Sequence, residues 1–258
     1  MKKTLKDKIS DKLVNAFLKN KTISAIPKKF TKKLTEAVKF RKLCESKINE
    51  PVIGFKAGGT VIPLMKKLKE KEPFYASVYK RNFLKSGKKI KIDKYSVGIE
   101  VEVCFLLRKA FFLSKGQITK NNVTKFITHM APCIEIVGYR QRKKGIKCFG
   151  DLCSDFGGNV KFVIGSKTKF QNHNVKNLKT VLFNKSVRQS VVGNTNTVYI
   201  DPMNSLRFVL NKLQKDKVKY DKDFFVFTGS TVGVVPILSN STYIGSIKKI
   251  GSVSCKIS

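Results

Sequence analysis

The chain has 258 residues, 41% of them hydrophobic and 19 of them phenylalanine, which supplies a real core and excludes a mostly disordered chain. No window approaches the roughly 18 uninterrupted apolar residues of a membrane span, so a soluble or peripheral protein is expected. Lysine and arginine total 53 against 17 acids, a net charge of +36, and a field of that sign attracts polyanions.

Taken in chain order, Leu5, Ile9, Leu13, Phe17 and Leu18 recur at helical spacing, as do Leu34, Ala37, Val38, Cys44 and Ile48, with Ile26-Pro27 between the stripes. Two amphipathic helices forming an N-terminal arm over residues 1–50 are expected, with a single domain over 51–258. Val52-Ile53-Gly54-Phe55 reads as a short buried strand ending at the turn Gly58-Gly59, and Val61 to Leu68 as a short helix. Strand-like runs follow at Phe74–Tyr79, Ile90–Ile92, Gly98–Leu107, Cys133–Tyr139, Val160–Ile164, Thr180–Phe183 and Phe224–Thr228. Two helices interrupt them, one carrying Val123, Phe126, Ile127 and Met130, the other Leu206, Val209, Leu210 and Leu213. The second starts at Asp201-Pro202, a capping residue followed by proline at the first helical position. Strands outnumber helices without regular alternation, which predicts an α+β fold with a curled mixed sheet.

The segment Gly98-Ile99-Glu100-Val101-Glu102-Val103-Cys104-Phe105 carries the first chemistry. Side chains alternate along a strand, so Ile99, Val101, Val103 and Phe105 share one face while Glu100 and Glu102 share the other. Two like charges side by side repel, and in a chain with 53 cations none stands between them. Glu135 sits in Pro132-Cys133-Ile134-Glu135-Ile136-Val137, an apolar strand in which a lone carboxylate is costly to bury. Three carboxylates converging from two strands would make an all-oxygen site suited to Mg²⁺ or Mn²⁺, whose charge removes their repulsion.

These segments resemble, in order, those of the fumarylacetoacetate hydrolase superfamily, in its 2-keto-4-pentenoate hydratase branch. The matching pieces are Ile53-Gly54-Phe55-Lys56-Ala57-Gly58, the Glu-x-Glu at 100–102, and Pro132-x-x-Glu135-Ile136-Val137-x-x-Arg140. Asp151-x-x-x-Asp155 leading into Phe162-Val163-Ile164-Gly165 follows, then Asp201-Pro202-Met203-Asn204-Ser205 and the strand-end turn Phe227-Thr228-Gly229-Ser230. The resemblance spans nearly the whole chain. It implies a mixed β-roll with a helical arm, and a divalent cation held by Glu100, Glu102 and Glu135. It further implies a 2-oxo acid substrate chelating that metal, and hydration, decarboxylation or C–C cleavage through a metal-stabilised enolate. Lys56 matches the family's active-site lysine, which steadies the substrate carboxylate or, with a lowered pKa, shuttles a proton. Arg140 is expected to bind a distal substrate carboxylate as a fork, Thr228 and Gly229 to lie near the ligand, and Asp155 to support the metal residues. Self-association is expected by the same analogy.

Two positions depart from the family pattern. In Glu72-Pro73-Phe74-Tyr75-Ala76, Phe74 stands where an acid is expected opposite the lysine, and Gly157-Gly158 replaces a serine common after the Asp155 position. A phenyl ring carries no proton, which raises a rival reading: a catalytically degenerate homologue kept as a basic component of an RNA-rich assembly such as an organellar ribosome. Only seven of the 53 cations are arginine, the usual residue for forked phosphate contacts, so the diffuse lysine excess is read sooner as coding bias than as a selected polyanion site. The six cysteines form no C-x-x-C pair, and the lysine-rich N-terminus lacks a secretory core. A reducing cytoplasm or organelle matrix is expected. His129 is read as a helix-end residue, and Asp151 and Asp155 as acids of a loop near Lys143, Lys144 and Lys147.

Overall fold

Both expected N-terminal helices form. A computed structural model describes residues 3–141 and 145–258, and α1 (Leu5–Leu18) starts at a capping box. The Thr4 hydroxyl accepts from the Asp7 amide at 3.2 Å while the Asp7 carboxylate accepts from the Thr4 amide at 3.2 Å. The apolar stripe Leu13, Val14 and Phe17 packs on Phe40 and Cys44 of α2 (Leu34–Glu45). Beyond the arm come β1 (Val52–Gly58), α3 (Ile62–Lys67) and β2 (Phe74–Tyr79), then the short β3 (Phe83–Lys85) and β4 (Lys89–Ile90). Two long strands follow, β5 (Ser96–Leu107) and β6 (Ile127–Gly138), then α4 (Phe149–Ser154), β7 (Asn159–Ile164) and β8 (Thr168–Lys169). The chain continues through β9 (Lys179–Asn184), β10 (Gln189–Asn194), α5 (Pro202–Lys215) and β11 (Phe224–Ser230). It closes with β12 (Val235–Pro236), β13 (Thr242–Ile247) and β14 (Gly251–Ile257).

The strands make two sheets. The larger runs β2-β1-β11-β5-β6-β7-β3, with β12 on β5 and β8 on β6; the smaller runs β10-β9-β13-β14-β4. β1–β11, β3–β7 and β4–β14 are parallel and the other pairs antiparallel, so this is the expected α+β fold with a mixed, curled sheet. The main core lies between the sheets and α5, where Val101, Val103, Phe105, Ile134 and Leu206 are buried. α5 starts as read, with the Asp201 carboxylate accepting from the Asn204 amide at 2.8 Å. Among the described residues no helix is long and apolar enough to cross a membrane.

Three readings change. The helix expected around Val123–Met130 is one 3₁₀ turn, Val123–Phe126, after which Ile127 opens β6. Four apolar residues at near-helical spacing also suit a turn feeding a strand, and pairing along β5 decides it. His129 therefore lies within β6, opposite Leu106 and Lys169, and not at a helix end. Asp151 belongs to α4 instead of a loop, where its carboxylate accepts from the Cys148 amide at 3.2 Å; Lys143 and Lys144 lie outside the described residues. All six cysteines are unpaired.

Arg140 joins the arm to the roll. It is 1% exposed, and its Nη1 donates to Asp155 at 3.0 Å and its Nη2 to the Asn159 carbonyl at 3.0 Å. Its backbone amide donates to the other Asp155 oxygen at 2.6 Å, and its carbonyl accepts from the Ile23 amide at 2.8 Å. The guanidinium lies over Tyr95 at 4.8 Å and over Phe17 of α1 at 5.0 Å. Substituting Arg140→Met strands the Asp155 charge in the interior and should cost about 3–5 kcal/mol. Urea unfolding should read this as a lower midpoint, with Phe17→Ala also destabilising.

Candidate metal centre

Glu100 and Glu102 share one face of β5, and the antiparallel register sets Glu135 of β6 directly opposite Glu100. One oxygen of each carboxylate lies within 4.8 Å of the others, as a shared cation requires. Glu102 and Glu135 are fully buried and Glu100 is nearly so. Like charges opposed across strands are destabilising by themselves, and burial multiplies the cost.

The fourth charge is Lys56. In a flat sheet three strand spacings of about 4.8 Å would hold β1 about 14 Å from β6, so contact between their side chains requires the sheet to curl. The curl brings the Lys56 Nζ to 2.5 Å from Glu135 Oε1 and to 3.1 Å from the Gly157 carbonyl. Beside it, β11 slips register between Phe227 and Ser230. That bulge turns the Gly229 amide onto Glu102 Oε2 at 3.0 Å. Gly229 has φ 107°, and a Cβ there would meet Thr60 Oγ1 at 2.0 Å, so only glycine fits.

With these bonds made, Glu102 Oε1 and Glu135 Oε2 stay buried with no hydrogen-bond partner among the described residues. Fully ionised, three carboxylates and one ammonium sum to −3 + 1 = −2, which one divalent cation neutralises. Oxygen-only donors, two orphaned oxygens and that charge fit a hard divalent cation.

Without a metal the protons must do this work. Burial pushes Glu100 up to about 8, with the Glu135 charge adding and Lys56 opposing. Burial likewise raises Glu102 to about 7, Lys56 again opposing. Glu135 stands well above the ordinary carboxylate value through burial, against Lys56, and a proton on it would be shared with Glu102. Burial works to lower Lys56, but the charges of Glu135, Glu102 and Glu100 outweigh it and the net direction is up. The lowered lysine that the resemblance allowed is therefore not the resting state of the metal-free site.

The pocket over these groups holds about 90 Å³, walled by Val61, Leu64, Leu68, Leu152 and Val234, with Thr60, Tyr139 and Ser230 at its polar side. Gly229 lines it. Thr228 does not: its hydroxyl donates to the Val103 carbonyl at 2.8 Å inside the sheet. Arg140 does not line it either; its fork is committed to Asp155 and Asn159, which corrects the expected substrate contact. Asp155 reaches none of the glutamates and instead anchors the turn whose Gly157 carbonyl receives Lys56. Gly157, noted in the sequence only as a departure, is thus part of the site. Phe74 lies where the acid was expected, buried edge-on to Phe149 at 5.3 Å and against Gly58. It also walls a larger cleft of about 850 Å³ between α2 and α5, where Glu72 is paired with Lys212 and, among the described residues, no three acids gather closely enough to share a metal ion.

Comparison with known proteins agrees with this fold. No family model matches the chain. The 2-oxo-hept-4-ene-1,7-dioate hydratase of Escherichia coli is 24% identical over 211 residues, 79% of this chain and 78% of that protein. The 4-oxalocrotonate decarboxylase from Pseudomonas putida G7, complexed with magnesium and adipate, superposes with a TM-score of 0.83 at 17% identity, covering 97% of this chain and 96% of that one. A fumarylacetoacetate hydrolase family protein from Yersinia pestis CO92 gives 0.58 at 15% identity over 82% of this chain and 95% of that one. The chain therefore has the fold of these proteins and is similar in sequence to a hydratase among them.

The raised carboxylates set a pH dependence. Against unfolded values near 4.5, the stability tied to Glu100 and Glu102 is fully present below pH 4.5 and is lost as pH rises through about 7 to 8. Melting temperature of metal-stripped protein should therefore fall between pH 6 and pH 9. Saturating Mg²⁺ should abolish that fall, because the cation replaces the protons.

Proposed function

We propose that this chain is a divalent-metal-dependent lyase, a hydratase or decarboxylase, acting on an unsaturated 2-oxo acid. The observation that carries the reading is the convergence of Glu100, Glu102 and Glu135, two of their oxygens orphaned, beside Lys56 in a small enclosed pocket. A bound Mg²⁺ or Mn²⁺ would supply Lewis acidity toward the carboxylate and keto oxygens of the substrate. The names of the hydratase and decarboxylase relatives, and the magnesium complex of the latter, support that class.

The protein's own residues supply position and protons. Gly229 N–H fixes one oxygen of Glu102, and Lys56 fixes one of Glu135, so each glutamate is oriented before a cation arrives. Two of the three N–H groups of Lys56 are bonded, to Glu135 and Gly157, and the third, with no partner among the described residues, can meet a substrate oxygen. Leu64, Leu68 and Leu152 give the pocket an apolar wall, which strengthens each charge interaction inside. With Phe74 in place of the acid, proton transfer falls to the Lys56–Glu135 pair.

Phe74 also favours a second reading, a metal-dependent binder of 2-oxo acids without turnover. The role as a basic component of an RNA-rich assembly gains no support from these relatives. Calorimetric titration with Mg²⁺, then with oxalate, tests the site, and assay with unsaturated 2-oxo acids separates enzyme from binder. Glu102→Ala should abolish Mg²⁺ binding. Lys56→Met should keep Mg²⁺ binding yet lower turnover by about 10²–10⁴.

A further inference from the structure

The groups around the metal pocket change character along β6. Glu135, Val137 and Tyr139 stand two residues apart, Glu135 among the metal residues and the other two in the pocket wall, with Tyr139 just past the end of the strand. At about 3.3 Å per residue each step is about 7 Å, so a carboxylate, an apolar side chain and a hydroxyl follow one another away from the metal residues. β5 runs alongside in the same order. Glu100 opposes Glu135 and Gly98 opposes Val137, and Val234 takes the space that a side chain at Gly98 would fill. A 2-oxo acid is built to the same sequence, with its chelating oxygens at one end and its unsaturated carbons beyond them.

Tyr139 faces the pocket while its neighbour faces away. Adjacent residues of an extended chain point to opposite sides, and Arg140 points toward Asp155 and Phe17. The tyrosine ring lies beside the bare Gly158, where a Cβ would come to 3.9 Å from Tyr139 Cε1. A wall alone needs no hydroxyl, and this chain uses phenylalanine 19 times against 7 tyrosines. Elsewhere the hydroxyls are committed: Tyr75 donates to Asp216, Tyr95 to Asn20 and Tyr220 to the Val52 carbonyl, while Tyr243 accepts from the Leu238 amide. The half-buried Tyr139 hydroxyl makes no hydrogen bond to a described residue. Ser230, on the same polar side, already donates to the Gly233 carbonyl at 3.0 Å. Burial and the charge of Glu100 push the Tyr139 phenol up, so it keeps its proton and offers both a donor and an acceptor.

We propose that Tyr139 is a positioning residue that holds the water added to the substrate, which commits the site to hydration. This rests on the lyase reading above. With the 2-oxo acid end of a substrate at the glutamates, a water on the phenol would stand against the unsaturated carbons. Its lone pair forms the C–O bond at the alkene carbon remote from the carbonyl, and the π pair moves toward the carbonyl to give the enolate. The water gives up one proton and the enolate carbon gains one, exchanged through the Lys56–Glu135 pair, so the product is the substrate plus one H₂O. Val137, Leu152 and Val234 offer a water no hydrogen bond, and the hydroxyl therefore decides where it stands.

The test uses the full chain with Mg²⁺ and 2-oxopent-3-enoate in D₂O, followed by NMR. Deuterium entering the terminal carbon of the substrate reports enolate formation, and the 4-hydroxy product reports water addition. Tyr139→Phe keeps the ring and removes only the hydroxyl. It should lower the initial rate of hydration by about 10²-fold while leaving deuterium exchange, Mg²⁺ binding and melting temperature unchanged. A wall residue would not split the two rates: damage to the pocket lowers both together, and that outcome would overturn the proposal. So would a variant that hydrates as fast as the unmodified chain. Exchange without hydration in the unmodified chain would overturn this inference and leave the lyase reading standing, whereas neither exchange nor hydration would overturn both.

Discussion

Four charged side chains are sealed into a space where water cannot screen them, and charge neutrality of that space governs the rest of the structure. Three carboxylates facing one ammonium leave an excess of two negative charges. The interior tolerates this only by retaining protons or admitting a cation. A purely structural protein would gain by replacing such a cluster with well-packed apolar residues, since buried ionic groups are poor sources of stability. Its presence inside a sound core is what the proposed metal site accounts for.

The sheet supplies the geometry in two ways. Curl brings β1 over β6 so that Lys56 meets Glu135, and the bulge in β11 turns one amide from the ladder toward Glu102. Beneath them, Arg140 and Asp155 hold the turn that offers the Gly157 carbonyl. Arg140 stacks on Phe17 and accepts from Ile23, so the helical arm is coupled to the lysine through one buried ion pair.

Much of this was legible because strands repeat every two residues. Ile99, Val101 and Val103 on one face oblige Glu100 and Glu102 onto the other, and an apolar run around Glu135 marks a carboxylate that burial alone does not explain. The pairing of Glu100 with Glu135 was not legible, since register is decided between strands and not within one. Nor was the fate of Arg140: a guanidinium aimed at a substrate and one committed to Asp155 have the same sequence. β10, β13 and β14 escaped notice because their serines, threonines and glycines dilute the apolar alternation, as Ser252 and Ser254 do around Val253. The turn at Val123 misled because four apolar residues cannot separate a helical turn from a strand entrance.

The parallel pairing of β1 with β11 has a consequence for how the chain comes to exist. Gly54 pairs with Phe225, so the strand bearing Lys56 leaves the ribosome long before its neighbour is made. At about 5–20 residues per second that interval is on the order of ten seconds or more, during which β1 has only β2 beside it. The β5–β6 hairpin, with all three glutamates, is complete well before β11 arrives, and Gly229 is added after all of them. Assembly of so non-local a sheet is intrinsically slow, and its nascent form exposes unpaired edges. The net charge of +36 disfavours close approach between such edges on separate copies.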